Sequence, residues 1–384
     1  MNNIKKIFTN EFGQKVIIKR FYIDDENISK ERLFLLARFL NINNVSLKKL
    51  YKLNGSSTFF KAYNYSNGYA FEARLFVNNQ SNFLLKSYTL KKAIKLFKDI
   101  FEKGFEKDEP LLTRLKNEIV DEHNSYKMDS FFFMESNLNL PYSKIDFDDN
   151  NLKNVSTSDL LNTLSLINKR ECQESIYIGQ KENKFFFDDD LFFKSKRQVL
   201  PLDYNIIDNI TYNYDFENET LANAYTFKSI ENMDDFYKTY VILKAICNAF
   251  ENALADFLLK CHSTIRIISK NKAVILYKFD LGNLYKNSSR IIAINNEISK
   301  EDIEKSISDS IRSLKLSQIS LNSDLSTAIK RALLLCDLDL NIDNIFADIS
   351  YLTDDIYQKI DDIKKVNSFA IMKGREEDDK EWLW

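Results

Sequence analysis

The side chains whose type suits chemistry are few and scattered. His123 and His262, with Cys172, Cys247, Cys261 and Cys336, supply all the imidazole and thiol groups. A zinc site would need three or four such donors at short spacing, and no C-x-x-C pair occurs. Cys261 and His262 are adjacent, so their side chains point apart. The cysteines are expected to be reduced and half buried in cores. His123 lies five residues past Glu118, about 140° further round a helix, and reads as a plain surface or capping residue. His262, just before a strand, reads the same way. Asp188, Asp189 and Asp190 could attract a cation, but three adjacent carboxylates outside any periodic element are expected to be solvated. No convincing Ser-His-Asp or Cys-His set can be drawn from two histidines. Phosphate cradles are nearly excluded, because there are only seven glycines and neither G-x-G-x-x-G nor G-x-x-x-x-G-K.

One stretch stands out: Ala37-Arg38-Phe39-Leu40-Asn41-Ile42, which places an Arg and an Asn inside an apolar helical run, LFLLARFLNI. The segment 29–42 starts on a Ser and is apolar on most sides, so it predicts a buried helix. Before it, QKVIIKRF (14–21) alternates as a strand. After it come a short helix near 46–53, then GSSTFFKAYNY, Asn67-Gly68 and YAFEARLFV, a strong hairpin signal with Tyr69, Phe71, Ala73, Leu75 and Val77 on one face. Leu90, Ile94, Phe97 and Phe101 mark a helix that Gly104 ends, with Lys91, Lys92, Lys95 and Lys98 on its solvated faces. A helix over 110–133 enters through Pro110. Another starts at Ser156-x-x-Asp159, and SIYIG (175–179) closes the half as a strand.

The second half repeats the plan. ITYNYDF (210–216) and ANAYTF (222–227) read as strands, followed by a helix over 233–259 and three strands, TIRIIS, KAVILYKF and SRIIAI. Ser299-x-x-Asp302 opens a helix with Ile303, Ile307, Ile311 and Leu314 as its core stripe. Helices near 321–336 and 353–365 precede SFAIMKG (368–374). Thr157 and Thr353 are 196 positions apart, and Gly179 and Gly374 are 195 apart. The shared offset argues for an internal duplication. The expected fold is α+β: two duplicated domains, 1–180 and 204–384, joined by a linker at 181–203, each an antiparallel-rich sheet covered by helices.

The totals agree with this. A chain of 384 residues is too long for one ordinary core, and 44% hydrophobic residues can fill two. With 54 basic against 56 acidic side chains there is no general field to attract nucleic acid. No stretch approaches 18 consecutive apolar residues and no basic-then-apolar signal opens the chain, so no membrane span and a cytoplasmic location are expected. The tail REEDDKEWLW reads as a frayed or edge-packed terminus.

This layout resembles a half-size subunit of the M16 metallopeptidases, the insulinase or pitrilysin type, especially the mitochondrial-processing-peptidase-like members that work as pairs and share the LuxS-metallohydrolase-like architecture. In that family a helix carries H-x-x-E-H, whose histidines grip zinc while the Glu activates water, and a further Glu about 75 residues on is the third ligand. Laid over this chain, the motif falls on Arg38-Phe39-Leu40-Asn41-Ile42, and Glu118 stands 76 positions after Ile42. Arg38 repels a metal cation, Ile42 has no lone pair, and Asn41 is no base. The resemblance therefore implies a degenerate site with no metal, no cofactor and no catalytic residue in this chain, zinc belonging to a partner. The family's second-domain Arg and Tyr, which bind the substrate backbone, fall here on Lys260 and Ile267, with Arg266 as a substitute. The edge strand expected to receive peptide is GSSTFFKAY, with Ser57, Thr58, Phe59 and Phe60.

On that basis the chain is expected to be the noncatalytic subunit of a heterodimeric zinc peptidase, inactive alone, helping an H-x-x-E-H partner bind and process a peptide precursor, as in leader removal during bacteriocin or modified-peptide maturation. The alternative is a non-enzymatic structural or peptide-binding protein derived from the same fold.

Overall fold

A computed structural model of the chain describes residues 5–8, 14–23, 27–43, 56–65, 68–78, 83–138, 140–169, 173–179, 209–212, 216, 218–279, 288–340 and 355–372. The short helix near 46–53, the linker with Asp188–Asp190, Cys172 and the tail lie outside these residues.

In the first half, β1 (Lys5–Phe8), β2 (Gln14–Ile23), α1 (Lys30–Ile42), β3 (Ser57–Tyr65), β4 (Gly68–Asn78), α2 (Phe83–Lys103), α3 (Glu109–Lys127), α4 (Ser130–Asn137), α5 (Asp149–Asn154), α6 (Thr157–Asn168) and β5 (Gln173–Gly179) follow in order. The second half contains β6 (Asn209–Tyr212), β7 (Glu219–Thr226), α7 (Met233–Ala255), β8 (Cys261–Ser269), β9 (Lys272–Phe279), α8 (Ser288–Glu297), α9 (Lys300–Ser323), α10 (Leu325–Asp337), α11 (Ile356–Lys359) and β10 (Lys364–Met372). The sheets run β1-β5-β2-β4-β3 and β6-β10-β7-β9-β8. In each, the outermost pair, β1 with β5 or β6 with β10, is parallel and the other pairs are antiparallel. The two halves thus share one strand order, as a duplication requires, and the fold is α+β with antiparallel-rich sheets covered by helices.

Local signals in the sequence account for most of these elements. Tyr65 pairs with Gly68, closing the β3–β4 hairpin. Ser29 accepts the Arg32 N–H to start α1, and Ser156 and Asp159 form a reciprocal capping box on α6. Gly104, at φ +70°, ends α2, and a Cβ there would meet Leu161 at 2.8 Å.

Several expectations are corrected. SRIIAI is helical, within α8, because Ile291 and Ile294 are buried three apart on one face, and that packing overrides β-branched propensity. The helix expected over 110–133 is two, broken at Asp129, whose carboxylate accepts the Phe131 N–H and caps α4. Asp324 likewise separates α10 from α9. The helix expected over 353–365 is one short turn, α11, and a 3-10 turn, with β10 beginning at Lys364.

Each sheet is covered on both faces, and the second cover is exchanged. On β2 the odd positions Ile17, Phe21 and Ile23 pack with the first half's own helices, while Val16 and Ile18, with Ile176 and Ile178 of β5, join the core of the second half. Reciprocally, Met134 of α4, Leu140, Phe131 and Leu138 pack on Ala222, Val274, Leu276 and Ile371 of the second sheet. Polar ties follow the same route. Ser130 N–H donates to Asn218 Oδ1 at 2.9 Å, Lys278 to Asp129 at 2.9 Å, and Arg266 to Glu135 at 2.6 Å.

At the centre of the other contact, Arg20 is fully buried. It meets Glu174, Asp337 Oδ1 at 2.6 Å and the Tyr142 hydroxyl at 2.8 Å, while Tyr22 donates to Glu174 at 2.9 Å and Tyr65 to Asp337 at 3.2 Å. Asp337 is the second half's contribution to a set otherwise drawn from the first half.

Candidate functional site

Three elements enclose a cleft in the first half. One face of α1 presents Phe34, Ala37, Arg38 and Asn41. β3 presents its outer edge from Phe59 to Ala62. α3 presents Ile119, Glu122, His123 and Tyr126, with Phe132, Lys144, Ile145 and Phe147 completing the wall. The cavity is about 280 Å³, at the small end for ligand sites, and mostly apolar.

The α1 face follows i, i+3, i+4, i+7 spacing, which leads from Phe34 to Asn41 and not to Ile42. Ile42 is 51% exposed and lies off the cleft. Glu118 also points away: its side chain is 58% exposed and pairs with Arg114 at 3.4 Å, one turn back. The carboxylate that faces α1 is Glu122, one turn further along α3, and it holds Arg38 at 2.6 Å. Of the four degenerate positions, Arg38 and Asn41 are brought to the cleft and Ile42 and Glu118 are not.

Asn41 is the most constrained polar side chain here. Phe60 N–H donates to its Oδ1 at 2.8 Å, and its Nδ2 donates to the Phe60 carbonyl at 2.9 Å. β3 is an edge strand, so these bonds use the groups an added strand would need. Further along the same edge, Asn64 donates its N–H to Ser143 O at 3.2 Å and accepts from Tyr142 N–H at 3.0 Å.

His123 corrects the surface reading. It is 5% exposed, with Nδ1 2.9 Å from Asp149 and Nε2 3.0 Å from Asp146, and its ring centre lies 4.2 Å from that of Phe147, tilted by 32°. Both ring nitrogens are taken, so neither is open to a metal. His262 lies within β8, not ahead of it. Lys144 sits 3.3 Å over the Tyr126 ring at the mouth. Among the described residues no group of three or more His, Cys, Asp and Glu is placed to hold a metal ion. A zinc ion does not fit this donor set, since the α1 face offers two apolar side chains, a guanidinium and an amide already spent on Phe60. The cysteines do not change this: Cys247 and Cys336 are buried, Cys261 is half-buried, and burial pushes the Cys247 thiol up to about 11.

The predicted peptide-binding residues divide. Ser57 and Thr58 open β3, with the Thr58 hydroxyl buried and without a hydrogen-bond partner among the described residues, and Phe59 is 41% exposed beneath the Arg74 guanidinium at 5.6 Å. Phe59 and Phe60 line the cleft, but Lys260, exposed at the α7–β8 junction, and Arg266, engaged by Glu135, do not. Sequence reasoning missed Phe34, Ala37, Glu122 and the 144–147 segment. Helical spacing from Arg38 could have found the first two, whereas 144–147 has no period to read.

No protein-family model matches the chain, and no curated protein matches it. Solved structures do. The M16 peptidase inactive domain from Pseudomonas fluorescens is 13% identical at TM-score 0.61, covering 98% of this chain and 98% of that one. A conserved protein from Enterococcus faecalis is 14% identical at TM-score 0.59, covering 97% and 96%. The periplasmic protease PqqL from Escherichia coli is 11% identical at TM-score 0.62, covering 96% of this chain but 44% of PqqL. The chain therefore has the fold of M16-type peptidases and corresponds to less than half of the length of PqqL. No described helix is long and apolar enough to cross a membrane.

Proposed function

We propose that this chain is the noncatalytic member of a heterodimeric M16-type zinc peptidase, clasping an extended peptide while a partner with an intact H-x-x-E-H cuts it. The observation that carries this is the α1 face: a peptidase fold whose cleft helix shows Phe34, Ala37, Arg38 and Asn41, with Arg38 neutralised by Glu122. What remains suits binding. Aromatic walls accept an apolar side chain, and the outer edge of β3 offers backbone groups to an extended chain. The substrate class that best suits such a pair is a peptide precursor, with leader removal from a bacteriocin or other modified peptide as the specific case.

A second reading, a non-enzymatic peptide-binding or structural protein on the same fold, is favoured by the partial closure of the β3 edge at Phe60 and Asn64. The experiment that separates them is turnover of a quenched-fluorescent peptide library by this chain, by a co-expressed M16-like partner, and by the mixture. The expected outcome is no turnover by this chain and at least a tenfold gain, abolished by chelator, when it joins the partner. A partner equally active alone would leave the structural reading standing.

A further inference from the structure

The edge of β3 at Phe60 is closed by a side chain with the chemistry of a peptide bond. Asn41 Oδ1 accepts the Phe60 N–H at 2.8 Å and Asn41 Nδ2 donates to the Phe60 carbonyl at 2.9 Å. In an antiparallel sheet, a residue of an added strand makes this same pair of bonds with the residue opposite. Backbone groups alternate along a strand, so Thr58, Ala62 and Asn64 face the same way as Phe60. Asn64 is closed by Tyr142 and Ser143. Among the described residues, nothing pairs with Ala62 on that side, and Ala62 lines the cleft. The outer edge is thus a row of four pairing positions, Thr58, Phe60, Ala62 and Asn64, in which Phe60 and Asn64 are filled from within the chain and Ala62, between them on the cleft wall, is left unpaired.

Resting on the peptide-binding reading above, we infer that Asn41 is an internal stand-in for a ligand residue, holding the Phe60 position and restricting a peptide seated in the cleft to a single-residue pairing at Ala62, between the closures at Phe60 and Asn64. The ligand class follows from the walls. A short extended peptide places one aromatic or aliphatic side chain among Phe34, Phe59, Ile119, Phe132 and Phe147 in the 280 Å³ cavity. A longer strand pairs with Phe60 only by displacing the Asn41 carboxamide. Asn41 is therefore a specificity-determining residue that sets both register and length.

The test measures fluorescence anisotropy of a dye-labelled, end-capped Ala-Val-Phe-Val-Ala peptide with the full chain, alongside a version with Asp at the centre. Asn41→Ala is expected to bind the Phe peptide about tenfold more tightly than the unsubstituted chain, roughly 1.4 kcal/mol, because the ligand no longer competes for Phe60. Asn41→Asp, which can still accept the Phe60 N–H but cannot donate to its carbonyl, is expected to fall between them, and it decides the question alone should Asn41→Ala not fold. The Asp peptide is expected to bind at least tenfold more weakly throughout. If the unsubstituted chain binds the Phe peptide and both variants bind it no better, Asn41 only ties α1 to β3 and the inference is overturned while the peptide-binding reading stands. If no form binds either peptide, both fall.

Discussion

Arg20→Met lowers the stability of the chain by about 3–5 kcal/mol, read as a shift of the denaturant midpoint at constant slope. Methionine fills similar space, so the loss is not one of packing. Arg20 is fully buried and faces two carboxylates, Glu174 and Asp337, whose side chains are 4% and 9% exposed. Burial would depress the charge on Arg20, but Asp337 and Glu174 hold its pKa well above the usual value. For Asp337, burial prevails over Arg20 and raises the carboxyl pKa. Removing the guanidinium strands both acids in a low-dielectric interior, the costliest way to break such a set. Asp337→Asn is expected to cost only about 1–2 kcal/mol, because Glu174 still pairs with Arg20. A loss under 1 kcal/mol for Arg20→Met would show that the cluster is dispensable. The same substitution loosens the tie between halves, because Asp337 comes from α10 of the second half.

Lys19→Met acts in the opposite direction. Lys19 is 1% exposed, and burial first, then the charge of Lys98, lower its pKa from 10.5 to about 6, with Glu102 opposing. The Nζ lies 4.5 Å from the Phe21 ring centre and 5.0 Å from that of Phe101, contacts that favour only the charged form. Because the folded pKa lies below the unfolded one, the unfolded chain binds a proton that the folded chain refuses between about pH 6 and 10.5. Stability therefore rises with pH across that window, by about 1.4 kcal/mol per unit, and this contribution is flat outside it. Methionine removes the slope and stabilises the protein by about 2–4 kcal/mol at pH 7.5. Denaturation of both forms at pH 7 and pH 9 checks this. Equal slopes, or a less stable Lys19→Met, would contradict it.

These two neighbours on β2 show what was legible in the sequence. The alternation of QKVIIKRF gave the strand, and the hairpin at Gly68, the cap at Ser156 and the end at Gly104 all reflect contacts within a few residues, while two anchors of the repeat offset, Thr353 and Gly374, lie outside the described residues. The partners of Arg20 were not legible, since Glu174 and Asp337 are 154 and 317 positions away and nothing local announces them. SRIIAI failed for a related reason: its helical state is fixed by burial of Ile291 and Ile294 against the second core. In the cleft, the suspicion attached to Arg38 and Asn41 led to residues that do line it. Extending the same spacing to Ile42 and Glu118 misjudged the helix faces, because the face toward β3 and α3 is decided by packing. The role of Asn41 had no sequence signal, since a carboxamide matches a backbone only when the strand edge is in place.

The proposal that the cleft of this fold holds no zinc is tested most directly by the zinc content of the purified full chain. The chain would be equilibrated with excess zinc, desalted and measured by inductively coupled plasma mass spectrometry. The account predicts well under one-tenth of a zinc per chain, unchanged by Glu122→Gln. One zinc per chain that Glu122→Gln removes would contradict it, for the cleft would then be a metal site after all.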